Sequence, residues 1–287
     1  MDVIHTVAEF RQWRAGVRGV VAFAPTMGAL HEGHASLIRQ AAAMAENDGA
    51  AVSSIFVNPT QFGPGEDFTK YPRTLEADLR VLQSAGCRAV FVPAAAEMYG
   101  GERDSIGQEA GFTVDPGAMG RVLEGAIRPG HFRGVCTVVL KLLNVVQPTR
   151  LLLGQKDYQQ QAIVRGMVAA LNVPTEVVTC PTVREEDGLA MSSRNRYLSA
   201  DERGRAIGLW EALNWAAGAY RAGEREGGAL ATGMRERMER RGIAVQYAVV
   251  ADARTLELFA GPVQGSAVAL VAGKVGATRL IDNLLFD

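Results

Sequence analysis

The chain is poor in lysine, histidine and cysteine, and it has no long apolar run. Of the 30 basic side chains among 287 residues, 26 are arginine and only four are lysine: Lys70, Lys141, Lys156 and Lys274. Acidic residues number 31, so the net charge is −1. That balance argues against a general nucleic-acid binder, whose electrostatic footprint is a basic excess. The three cysteines, Cys87, Cys136 and Cys180, are odd in number and far apart. They exclude a disulfide framework and a Cys-x-x-Cys site, and they read as reduced thiols among apolar neighbours. No stretch reaches the roughly 18–20 apolar residues of a membrane span. The longest candidate, residues 135–146, is short and carries Lys141. The opening Met1-Asp2-Val3-Ile4-His5 has an early acid and no basic-then-apolar signal pattern. These absences predict a cytoplasmic protein with neither a membrane nor a nucleic acid as partner. The histidines are His5, His31, His34 and His131, and two of them lie three positions apart.

What is present is a chain with 48% hydrophobic residues, long enough to bury a substantial core without staples. Over the first two-thirds, short apolar runs alternate with helical periodicity. Strands are predicted at 20–24, 50–57, 89–92, 151–153 and 176–179, and helices at 34–46, 74–85, 135–146 and 157–171. Near-continuous apolar strands separated by helices predict an α/β fold, a doubly wound, Rossmann-like parallel sheet. Beyond the polar stretch Arg184-Glu185-Glu186-Asp187-Gly188 the pattern changes. Helices at 200–222 and 228–241 precede strand candidates at 244–251, 267–272 and 279–283, with no long helix between the strands. That predicts a smaller C-terminal α+β domain, so the chain divides into 1–183 and 184–287. Two Gly/Pro-rich loops, 58–72 and 100–134, are long for a compact α/β domain, and loops of that kind tend to carry function.

Pro25-Thr26-Met27-Gly28-Ala29-Leu30-His31-Glu32-Gly33-His34 joins the first strand to the first long helix. In an open α/β sheet that junction lies beyond the strand C-termini, where ligands bind. Gly28 and Gly33 permit a tight turn and close backbone approach. A helix beginning near His34 offers N–H groups to an anion. Two imidazoles at this spacing can face one site and steady charge on a phosphate. The same residues also read as two surface histidines at a helix start, or as a pair sharing a cation with Glu32 nearby. The strand–turn–helix setting favours phosphate.

Three further segments carry polar chemistry. Asn58 and Gln61 close the second strand with amides that both donate and accept, which suits a substrate with hydroxyls and a carboxylate; Asn58-Pro59 also reads as a turn former. In Gly154-Gln155-Lys156-Asp157, Lys156 sets an ammonium at a strand–helix junction, well placed for polyphosphate oxygens. Asp157 can cap that helix or accept from a ribose hydroxyl. In Met191-Ser192-Ser193-Arg194-Asn195, two hydroxyls and a guanidinium suit phosphate oxygens. His131, in the Gly/Pro-rich segment 123–134, reads as an interface or gate residue and not as a catalytic one.

His-x-Gly-His after a first strand is similar to the signature of the nucleotidylyltransferase superfamily, and residues 25–34 together resemble the pantoate–β-alanine ligase family. The segments 54–62, 71–74, 123–134, 154–160 and 191–195 and the string Arg279-Leu280-Ile281-Asp282-Asn283 match that family as well, over nearly the full length. Thr60 departs from the usual Met, and Gln155 from the usual Glu. The resemblance implies ATP-dependent ligation of pantoate to β-alanine through a pantoyl-adenylate, with AMP and pyrophosphate released. It implies that His34, His31 and Lys156 are catalytic, His34 foremost. ATP would be held by Met27, Gly28, Ala29, Leu30, His31, Glu32, Gly33 and His34, by Gly154, Gln155, Lys156 and Asp157, and by Val183, Met191, Ser192, Ser193 and Arg194. Gln61, Gln160 and Asn58 would hold pantoate and β-alanine. Mg²⁺ would ride on the nucleotide phosphates with no dedicated protein ligand, and the enzyme would be a homodimer. Two other readings stay open on the residues. One is a His-x-Gly-His transferase that stops at an adenylated product. The other is a nucleotide-binding protein without turnover.

Overall fold

Small and bulky apolar residues alternate in the strand at the centre of the sheet. Val21 and Phe23 belong to the core on one face and Ala22 and Ala24 to the core on the other, all fully buried. This is the period of a strand covered on both sides. The computed structural model describes residues 1–45, 48–63, 68–69, 71–100 and 111–286, so Lys70 and parts of both long loops lie outside the described residues. Two units make up the chain: Met1–Gly154 with Ile163–Cys180, and Gln155–Ala162 with Pro181–Asp287.

In chain order the elements are β1 (Asp2–Ile4), α1 (Val7–Ala15), β2 (Val21–Thr26), α2 (Glu32–Ala45), β3 (Ala50–Ile55), α3 (Leu75–Ser84), β4 (Ala89–Phe91), α4 (Ala95–Tyr99), α5 (Glu124–Ile127), α6 (His131–Val146), β5 (Arg150–Gly154), α7 (Tyr158–Ala170) and β6 (Glu176–Cys180). The six strands form one parallel sheet in the order β1-β4-β3-β2-β5-β6. Phe23 of β2 pairs with Val52 of β3 on one side and Leu151 of β5 on the other. The strand order reverses between β2 and β5, the kind of place where ligands bind in such sheets. Val135, Val139, Leu142 and Val146 of α6 join the core with Phe23. Ile38 and Ala41 of α2 and Leu82 of α3 join the opposite one.

The second unit carries α8 (Ala200–Ala206), α9 (Gly208–Arg221) and α10 (Gly227–Arg240), then the antiparallel sheet β7 (Ala244–Asp252), β8 (Ala267–Val275) and β9 (Thr278–Phe286), in the order β7-β8-β9. Leu209, Leu213, Leu230, Met234 and Met238 bury their side chains with Ala269 and Val271 of β8. The α/β class, the parallel sheet and the smaller α+β portion are as the sequence predicts. Three details differ. The helix predicted from residue 34 starts at Glu32, which puts His34 inside its first turn. The single helix predicted over 200–222 breaks at Ile207, between Gly204 and Gly208, residues that weaken a helix interior. β1 and α1 go unpredicted, because a three-residue strand and a nine-residue helix with one buried side chain each show too little periodicity to be read.

Candidate active site

The loop after β2 is bent by two consecutive left-handed residues, Gly28 (φ +82°) and Ala29 (φ +52°). Asp78 of α3, 2% exposed, holds the bend. Its Oδ2 accepts Ala29 N–H at 3.0 Å and its Oδ1 accepts Leu30 N–H at 2.8 Å. Thr74 Oγ1 donates to the same Oδ2 at 3.2 Å. Thr26 Oγ1 donates to Ser54 O at 2.7 Å and accepts Gly28 N–H at 3.3 Å, which ties the bend to the strand ends. Glycine is needed at 28 for its positive φ, and also because a Cβ there would lie 2.9 Å from Asp78 Oδ2. Asp78 is a residue that sequence reading missed. Nothing local to α3 marks its carboxylate as buried.

His31 and His34 stand with ring centroids 4.2 Å apart and planes tilted by 45°. His31 Nδ1 accepts Gly33 N–H at 3.1 Å, and His34 Nδ1 accepts His31 N–H at 3.3 Å. A ring nitrogen that accepts carries no proton, so in each neutral ring the proton sits on Nε2. His31 O accepts the N–H groups of His34 and Ala35 at 2.9 and 3.1 Å. The first turn of α2 therefore spends these N–H groups inside the protein. This corrects the expectation that the helix start presents these N–H groups to an anion. Glu32 pairs with Arg39, and among the described residues no cluster of three His, Cys, Asp or Glu side chains is placed to hold a metal.

Asn58 caps, and Gln61 ends, a single 3-10 turn, Pro59–Gln61, after β3. Asn58 is 1% exposed, and its side chain is engaged at both ends. Its Oδ1 accepts from Tyr99 OH at 2.6 Å, Thr60 Oγ1 at 3.0 Å and Thr60 N–H at 3.3 Å. Its Nδ2 donates to Gln61 Oε1 at 3.2 Å and to Gly134 O at 3.3 Å. Burial pushes the Tyr99 phenol above its ordinary range, which keeps it a donor. Gln61 Nε2 lies 2.8 Å from Met27 Sδ, so this amide joins the loop after β2 to the turn after β3.

In the second unit, Gln155, Lys156 and Asp157 form a 3-10 turn leading into α7. Asn283 of β9, 1% exposed, clasps it: its Nδ2 donates to Gln155 O and Lys156 O, both at 2.9 Å, and its Oδ1 accepts from Gln155 Nε2 at 3.3 Å. Lys156 Nζ lies 3.7 Å from Asp157 Oδ2. Lys156, Ser192, Arg194 and Arg279 line one recess, with Leu189 and Ile281 among its walls. Ser192 Oγ accepts Arg194 N–H at 3.2 Å, and Met191 N–H donates to Val183 O at 2.9 Å. Asp282 also lines the recess; Arg184 binds it through both guanidinium nitrogens, at 2.6 and 3.0 Å, and stacks on Trp210 at 3.5 Å. Burial pushes the Asp282 carboxyl upward against the pull of Arg184. Gln160 is half-buried in the first turn of α7. Arg279 and Asn283 of the recess and its clasp were legible only as parts of a matched string, with no role attached.

The predicted residues thus fall into two groups. Residues Met27 to His34, Asn58, Gln61 and Gly154 belong to the first unit, and Gln155, Lys156, Asp157, Gln160, Val183 and Met191 to Arg194 to the second. Residues 2–285 match the family model described as pantoate-beta-alanine ligase. The chain is similar to the pantothenate synthetase of Rubrobacter xylanophilus, 51% identical over 95% of this chain and 93% of that one. It is 48% identical to the pantothenate synthetase of Roseiflexus castenholzii over the whole of both chains. Among solved structures, pantothenate synthetase from Thermus thermophilus matches with a TM-score of 0.87 at 42% identity, covering 99% of each chain. Pantoate-beta-alanine ligase from Francisella tularensis, crystallised with beta-gamma ATP and β-alanine, matches with a TM-score of 0.77 at 32% identity over 99% of this chain and 97% of that one.

Proposed function

Because the chain belongs to the pantoate–β-alanine ligase family, we propose how its own residues share the work of that family's reaction. The enzyme condenses pantoate with β-alanine at the expense of ATP, giving pantothenate, AMP and pyrophosphate through a pantoyl-adenylate. The pantoate carboxylate attacks the α-phosphorus and pyrophosphate leaves. The β-alanine amine then attacks the activated carbonyl and expels AMP. An anion must approach a polyanion while charge grows on the leaving group, so the demand is for preorganised donors and alignment.

His34 is the principal donor, with His31 beside it. The observation that carries this is the pair of backbone N–H groups donated to the two Nδ1 atoms, which places the proton of each neutral ring on Nε2, so that each imidazole donates from Nε2 without a protonation step. Lys156, Ser192, Ser193 and Arg194 take the phosphates, a role supported by the recess that Lys156, Ser192 and Arg194 line. Asp157 accepts from the ribose. Gly154, Gln155, Val183, Met191 and the backbone from Met27 to His34 hold the adenosine. Since the N–H groups of Ala29, Leu30, His31 and Gly33 are engaged internally, the other main-chain groups of that loop do this work. Gln61 and Gln160 hold pantoate. Asn58, whose Nδ2 donates to Gln61 Oε1, positions that amide.

Mg²⁺ fits this donor set as a passenger of the triphosphate, because the recess offers cations and a hydroxyl and its one carboxylate, Asp282, is paired with Arg184. Carried in with the nucleotide, it would supply Lewis-acid withdrawal of charge from the leaving pyrophosphate. We assign a homodimer on the family resemblance, with exposed Phe112 and Ile127 as apolar surface for it. A reducing, cytoplasmic setting agrees with three buried free thiols. The test is ATP–pyrophosphate exchange with purified protein. Exchange is expected to require pantoate, to proceed without β-alanine, and to fall ~10²–10³-fold in His34→Ala. Near-normal exchange in a folded His34→Ala removes that residue from the chemistry, and exchange with another acid but not pantoate overturns the substrate.

A further inference from the structure

We propose that His131 is a positioning residue for Gln61, held in its neutral form by Arg128. The proposal rests on the reading of Gln61 as a pantoate contact. His131 opens α6 directly after left-handed Gly130 (φ +84°) and is 9% exposed. Its two ring nitrogens meet partners of opposite kind. Nδ1 lies 2.9 Å from Gln61 O, which can only accept, so Nδ1 carries the proton and donates it. Nε2 lies 3.0 Å from Arg128 Nη1, which can only donate, so Nε2 carries the lone pair. Both neighbours demand the same neutral tautomer. A second proton on the ring would set Nε2–H against a guanidinium N–H.

The consequence is a carbonyl pinned at the residue whose side chain faces substrate. Gln61 is gripped on its main chain by His131, and on its side chain by Asn58 Nδ2 at 3.2 Å and Met27 Sδ at 2.8 Å. Gly134, one turn along α6, lets that helix press against the same turn. A Cβ there would collide with Thr60 O and Gln61 Cα. Its carbonyl takes the second Asn58 proton at 3.3 Å. The start of α6 and the turn after β3 therefore form one rigid bracket whose product is the orientation of a single amide. Arg128 acts one step further back, by donating to Nε2 and so holding the ring in the neutral form.

Two measurements on the full-length enzyme test this. Long-range ¹H–¹⁵N NMR of the histidine rings should show His131 in the neutral Nδ1–H form in the native protein, with the doubly protonated ring appearing more readily in Arg128→Ala, where no guanidinium faces Nε2. An Nε2–H form in the native protein overturns the tautomer and with it the proposal. Kinetics then use three substitutions. His131→Asn keeps an N–H near the Nδ1 position, whereas His131→Gln places its amide near Nε2 and His131→Phe keeps only the ring. His131→Phe and His131→Gln should raise KM for pantoate about tenfold with KM for ATP unchanged, and His131→Asn should recover most of the loss. Equal effects on both KM values, or His131→Gln and His131→Asn behaving alike, overturn the proposal in favour of a merely structural histidine. Gln61→Ala separates the two readings. If Gln61→Ala leaves KM for pantoate unchanged, the pantoate role of Gln61 fails. If Gln61→Ala raises KM but His131→Phe does not, the positioning role alone fails. Thermal melts of each variant identify any that do not fold.

Discussion

Asp78 grips two N–H groups of a loop that lies 48 and 49 residues before it in sequence. The carboxylate presents one oxygen to each donor, and an amide cannot do so. In Asp78→Asn one of the two N–H groups, on Ala29 or on Leu30, would face an NH₂ at the same distance. The expected cost is ~1.5–3 kcal/mol, the scale of a hydrogen bond to a charged partner lost inside a protein. Urea unfolding reads it directly, and native stability in Asp78→Asn would mean that the bend holds itself. Gly28→Ala should cost a similar ~1–3 kcal/mol through its left-handed φ, with the added methyl pressed on Asp78 Oδ2. The thiols give a second test at this scale. Burial pushes Cys87 and Cys136 up to about 12 and Cys180 up to about 11. The thiolate is the reactive form, so at pH 8 the native enzyme should resist iodoacetamide while the urea-unfolded chain takes three labels by mass spectrometry. Prompt labelling of the native protein would show that these sites open, and would contradict their burial.

Strand β9 acts as a clasp on a turn 127 residues earlier, because Asn283 gives both amide protons to the carbonyls of Gln155 and Lys156. Asn283→Asp would set a carboxylate against those two carbonyls and release the turn. KM for ATP should rise at least tenfold, with a smaller change in KM for pantoate; unchanged ATP kinetics would mean that the turn keeps Lys156 in place unaided. Only part of this was legible in the sequence. β2, β3, β4 and β5 could be read because strands buried on both faces are continuous apolar runs, and the His-x-Gly-His loop because it follows one of them. α1 could have been found from Thr6 and Glu9, which form a reciprocal capping box, but a nine-residue helix with one buried side chain has almost no apolar stripe. The engagement of Asn58 was out of reach for a different reason. Its partners Tyr99 and Gly134 come from α4 and α6, and no local pattern records a contact made across 41 or 76 residues. Asp78, Asn283 and His131 share that character: each acts on a backbone segment distant in sequence.

At the scale of the molecule, the sequence divides by pattern near residue 183, whereas packing also gathers Gln155–Ala162 with the C-terminal portion. Helical periodicity runs through α7 without a break, so composition has no means of showing that its first turn packs with a different unit from the rest. Asn283 at the Gln155–Lys156 turn and Ala253 O, which accepts from Tyr158 OH at 2.8 Å, are what draw that segment in. We propose that the lysine turn shares the stability of the second unit. Met234 and Leu213 are fully buried in its core, and Met234→Ala or Leu213→Ala should cost ~2–5 kcal/mol through the cavity each leaves. Local opening then follows the packed unit and not the sequence order. Hydrogen exchange by mass spectrometry should quicken over 155–162 and over 181–286, while 163–170 and strands β2, β3 and β5 keep their native protection. If 155–162 stays protected along with β5, the turn belongs to the parallel sheet and the boundary near 183 is the physical one. If exchange rises uniformly along the chain, the two units unfold together. With the first outcome KM for ATP should climb in the same variants while the amides of the His31–His34 loop stay protected, because Lys156, Ser192 and Arg194 lose their shared recess and the two histidines keep their Nδ1 contacts.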